Sequence, residues 1–170
     1  MKVHPALRSY WLPVALALLP CCLIAQSDRI IQPIDGKATV LLKGSLSPRI
    51  RSATDRGPVD GSLTIPAMEL VFRRTAAQDA NLQELLQEQQ DSTSPNFHRW
   101  LHPEEYADRF GLSQLDMSRV ISWLELEGFT VKYRPRGRTF IFFSGTAEQV
   151  KATFHAEIHD YDVRGVVSVF

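Results

Sequence analysis

Cysteine is nearly absent from this sequence: two in 170 residues, adjacent at Cys21 and Cys22. Nothing beyond Cys22 can belong to a disulfide framework, act as a thiol nucleophile or ligate a metal through sulfur. Net charge is absent too, since 19 Lys and Arg balance 19 Asp and Glu. Nucleic-acid binding normally leaves a basic excess, so nucleic acid is not an expected partner. There is no internal repeat. The one uncharged apolar run, Tyr10 to Ala25, is interrupted by Pro13 and Pro20. It falls short of the ~20 residues that a membrane span requires, so no stable span is expected.

What the N-terminus does carry is an export pattern. Lys2 and Arg8 form a basic start, the apolar run follows, and Ala25 precedes Gln26. Residues 1–25 therefore read as a signal peptide cut after Ala25, with a secreted or periplasmic product that retains no cysteine. Cys21 and Cys22 leave lipidation open. Residues 26–62 read as an extension rich in turn residues, with one possible strand in "ATVLLKG" and a linker in "SPRIRSATDRGPVDGS".

From Leu63 the periodicities become regular. "LTIPAMELVFRR" suits a strand whose start Pro66 confines to a sheet edge. "TAAQDANLQELLQEQQ" suits a helix opened by a capping box between Thr75 and Gln78. "HPEEYADRFG" is a short helix with Pro103 at its first position and Gly111 past its end, expected to be anchored by Trp100, Tyr106 and Phe110. "SQLDMSRVISWLELEG" places Met117, Val120, Ile121 and Leu124 on one face and stops at Gly128. "FTVKYRPRGRTFIFF" reads as a hairpin, "TAEQVKATFH" as a helix capped by Thr146 and Gln149, and "AEIHDYDV" as a last strand. With the extra helices after the first strand set aside, the order is βαββαβ. That is an α+β, ferredoxin-like layout: an antiparallel sheet packed by helices on one face.

Four constellations could carry chemistry. His98 and His102 stand four apart, as metal ligands on a helix do, but Pro103 favours an extended His102, so the two should not share a helix. His155 and His159 have the same spacing across a helix–strand junction, where the same objection holds. Glu104, Glu105 and Asp108 could serve as acid–base groups. With His102 as N-cap, however, the glutamates occupy a first turn where the dipole favours them, and Glu105 can complete half a capping box. Ser144 in "SGT" lacks a base, and a turn at Gly145 with a cap at Thr146 accounts for it. "RGRTFIFF" partly fits an RNA-recognition strand, although Arg138 and Thr139 depart from it. No catalytic, cofactor-binding or metal-ligating residue is assigned, and no cofactor is expected.

The ordered run "LLKG", "DRGPVD", "LVFRR", "LQELLQEQQDSTSPNFHRWLHPEEYADRFG", "VISWLELEGFTV" and "RTFIFFSGTAEQVKATFHAEIHDYDVRG" resembles the activation (pro-kumamolisin) domain of sedolisin serine peptidases. The resemblance places that domain at residues 63–165, with 166–170 as a truncated tail. It implies a non-catalytic propeptide that helps its peptidase fold and blocks the cleft until acid triggers its removal. The expected partner is a cognate sedolisin-type peptidase domain, in cis in relatives and in trans if this chain stands alone. The family's catalytic Glu, Asp and Ser and its calcium site find no counterparts among these residues. His102 stands where the family commonly has Thr or Ser. An alternative is a stand-alone secreted inhibitor or binding module; another is a small hydrolase using the His/Glu/Asp cluster. Exported His98, His102, His155 and His159 would gain charge below about pH 6.5, and acid release could draw on that.

Overall fold

A computed structural model describes residues 27–41 and 48–169. The expected signal peptide and the end of "ATVLLKG" lie outside them, and Ala38–Leu41 carries no strand. A 3-10 turn over Pro48–Ser52 leads into β1 (Thr54–Pro58), β2 (Thr64–Val71), α1 (Ala76–Glu88), α2 (Pro103–Phe110) and α3 (Gln114–Leu126). Then come β3 (Thr130–Tyr133), β4 (Phe140–Thr146), α4 (Ala147–Phe154), β5 (His159–Val163) and β6 (Val166–Val169).

The helix starts follow local chemistry. Thr75 accepts the Gln78 N–H at 3.1 Å while Gln78 accepts the Thr75 N–H at 3.0 Å, closing the box at α1. Thr146 and Gln149 repeat it at α4, at 3.2 and 2.7 Å. Ser113 caps α3 by accepting the Asp116 N–H at 3.0 Å. At α2 Glu105 accepts the His102 backbone N–H at 2.8 Å. Gly128 ends α3 at a left-handed φ of 88°, where only glycine is unstrained.

The strands form two antiparallel sheets of three, ordered β2-β4-β3 and β1-β5-β6. The first is the expected ferredoxin-like core, with β2 at an edge and Pro66 inside its bulge between Ile65 and Met68. On its inner face Ile141 and Phe143 meet Met117, Val120 and Leu124 of α3 and Val150 of α4. Helices thus cover one face, as the layout requires.

The fourth ferredoxin-like strand, β5, departs from that scheme. It pairs with β1, through Thr54↔Asp162 and Asp55↔Tyr161, rather than joining β2. Thus the stretch read as linker contains a strand, and the stretch read as a tail contains another: β6 pairs with β5 from Val163↔Val166 to Asp160↔Val169. Arg164 and Gly165, both with positive φ, form the two-residue hairpin between them.

Candidate functional site

The histidine–carboxylate stretch that first suggests chemistry is built as scaffold. His98 lies in the loop before α2 with φ 54°, while His102 is the extended N-cap residue, so the two share no helix. Glu104 pairs with Arg136 at 3.0 Å and Asp108 with Arg138 at 2.5 Å, tying α2 to the β3–β4 loop. Glu105 is occupied by the cap. Phe110 is buried and Tyr106 half-buried. Trp100 does not anchor the helix as its sequence position suggested: it is 71% exposed and stacks over His98, which in turn stacks on Phe97. Among the described residues no group of three or more His, Cys, Asp or Glu is placed to hold a metal ion.

Ser144 is buried within β4, opposite Thr130. Gly145 does not turn the chain; it continues the strand. A Cβ there would stand 2.4 Å from the Phe129 ring, so glycine lets that ring close over the sheet.

His155 and His159 are also kept apart. His155 ends α4 in a left-handed conformation, and its Nε2 lies 3.2 Å from the Gly36 carbonyl. His159, on β5, has Nδ1 2.9 Å from both Asp55 carboxylate oxygens and Nε2 3.4 Å from Glu157. Lys151 pairs with Glu157 at 2.8 Å. The hydrogen bond to Asp55 raises the His159 pKa above its ordinary value, against a smaller opposing effect of burial. Asp55 is held below its ordinary value, first by the Gly57 N–H and then by His159. Glu157 is lowered chiefly by Lys151, then by His159. This group was invisible in the sequence because Asp55 sat in an apparent linker.

The remaining feature is the open face of the β2-β4-β3 sheet. Ile141 and Phe143 point inward, so alternation turns Phe140 and Phe142 outward. The register sets Val71 beside Phe140 and Glu69 beside Phe142. Tyr133, opposite Phe142 across a bulge, completes a triplet with ring centroids 5.0–6.5 Å apart. Val71 is 62% and Tyr133 54% exposed. In "FIFF" the signal was legible: both phases of the alternation are apolar, so one must face away from the core.

The domain is thus a ferredoxin-like sheet with helices on one face and aromatic residues on the other. The activation-domain family of pro-kumamolisin has a model that matches residues 51–169, and the chain belongs to that family. The match begins just before β1 and ends with β6, so both strands of the second sheet that looked peripheral lie within it. Comparison with curated proteins finds no match. A family of propeptide domains implies a cognate sedolisin-type peptidase. No helix among the described residues is long and apolar enough to cross a membrane.

Proposed function

We propose that this chain is an exported, non-catalytic propeptide domain that assists folding of a sedolisin-type serine endopeptidase and inhibits it until acid releases the pair. The family match over residues 51–169 carries this reading. The geometry supports it: Glu104, Glu105 and Asp108 are engaged in structural pairs, and the apolar sheet face offers a contact surface. Phe140, Phe142, Tyr133 and Val71 would bury that face against the peptidase, and the C-terminal strand would lead towards its cleft. Export would follow from residues 1–25. Inhibition assays and refolding yields with an acid sedolisin at neutral pH test this directly. Slower hydrolysis and a higher yield of active enzyme are expected; neither effect at domain excess would end the proposal.

The His159 group sharpens the acid step. Its neighbours reward the protonated imidazole, so charging His159 tightens the β1–β5 junction. In this reading, acid release would draw on carboxylates or on histidines at the interface with the peptidase rather than on His159, whose contacts favour its charged form.

A further inference from the structure

Residues Asp28–Gly36 precede the matched family segment and belong to neither sheet. They are nonetheless fixed to the outer side of the helical layer. Asp116 lies in the first turn of α3, where a carboxylate usually faces solvent; here its side chain has no exposed surface. An ionised carboxylate tolerates burial only when hydrogen bonds replace its water. This one accepts the backbone N–H of Arg29 at 2.6 Å and of Ile30 at 3.1 Å, with Arg119 at 3.3 Å. Arg119 also donates to the Ile30 carbonyl. Ser113 donates to Asp28 at 2.6 Å, and the Arg29 side chain donates to the Arg73 carbonyl at 2.7 Å. The side chains of the segment enter through the Asp28 and Arg29 contacts and through aliphatic packing, with Ile30 and Ile34 resting on the core.

Beside this strap runs a groove of about 580 Å³, with Ile31 and Pro33 on one wall and Leu115, Trp123 and Leu126 on the other. The Trp123 indole N–H is buried and has no acceptor among the described residues. Most of the polar contacts at Asp116 come from strap main chain, so without the strap a carboxylate and an apolar helix face would stand open to solvent.

We propose that the α3 face is a peptide-binding site that reads main chain, and that its occupant is the chain's own segment Asp28–Asp35, held as a detachable strap. The ligand class is an extended peptide with an acidic residue ahead of two consecutive N–H groups and aliphatic side chains at the places of Ile30 and Ile34. This site is independent of the peptidase reading.

Proline has no N–H, so Arg29→Pro removes the 2.6 Å bond without altering the core, while Arg29→Ala keeps it. The full chain is followed by amide hydrogen exchange and titrated with a labelled peptide of residues 27–36. The Ile30 amide should be protected in the parent and in Arg29→Ala, and exchange at least tenfold faster in Arg29→Pro. The free peptide should bind Arg29→Pro, whose strap is loosened, at least tenfold more tightly than the parent, whose site is filled. A peptide carrying proline at the Arg29 place should not bind. An unprotected Ile30 amide in the parent, or no binding of the peptide to Arg29→Pro with α3 amides still protected, overturns the proposal. Asp116→Ala in the same assay should abolish peptide binding; binding equal to that of Arg29→Pro would show that the carboxylate does not read the main chain.

Discussion

His102 occupies an N-cap with extended backbone and no side-chain bond to the helix. A hydroxyl there could accept the N–H three residues on, completing the box that Glu105 already half forms. His102→Thr should therefore stabilise the domain by about 0.5–2 kcal/mol, read as a higher melting temperature. A lowered value would mean that the imidazole contributes something the cap does not explain. Gly145 makes the opposite case. Because a Cβ would stand 2.4 Å from the Phe129 ring, Gly145→Ala should destabilise by about 1–3 kcal/mol through overpacking. Chemical denaturation would show it as a lower midpoint; an unchanged midpoint would mean that Phe129 moves aside freely.

Between elements, the β1–β5 junction has a pH signature. His159 has a raised pKa, so its contribution is complete below the ordinary 6.5 and is lost as pH rises through the raised folded value. Asp55 and Glu157 have lowered pKa values, so theirs is complete above the ordinary 3.8 and 4.5 and is lost as pH falls through the lowered folded values. The junction should be firmest between about pH 4.5 and 6.5, with amide protection in β5 falling on both sides. His159→Gln should remove the decline on the alkaline side and leave the acid one; a parent profile flat across pH 5–8 would contradict the pairing. This junction also shows what a single sequence can reveal. Met117, Val120 and Leu124 announce α3 because a helix writes its face within a few residues, and Pro103 and Gly128 mark ends for equally local reasons. "TDRGP" has no such pattern: β1 exists only because β5, over a hundred residues later, supplies its hydrogen bonds. Asp116 likewise reads as an ordinary first-turn acid until residues 29 and 30 arrive. Trp100 misleads in the other direction, since an aromatic near a helix start suggests an anchor and here stands in solvent.

For the molecule as a whole, the two faces of the main sheet divide its tasks. The inner one holds the fold, and the outer one leaves Val71 and Tyr133 exposed, the surface proposed to meet the peptidase. Tyr133→Ala on the outer face should weaken association with a sedolisin-type peptidase by about tenfold or more, the scale of a well-packed aromatic anchor. Its melting temperature should stay near the parent's, because the side chain is mostly exposed. Equal affinity with equal stability would move the interface elsewhere. Export gives a second whole-chain prediction: N-terminal sequencing of protein recovered outside the cell should begin at Gln26, and a start at Met1 would remove the signal-peptide reading. The strap, finally, has a timing built into it. Its residues leave the ribosome 87 positions before Asp116. At about 5–20 residues per second that is a wait of roughly 4–17 s. During synthesis the strap has nothing to hold until Asp116 is made, so it closes only after α3 has formed, while the second sheet waits longer still for β5.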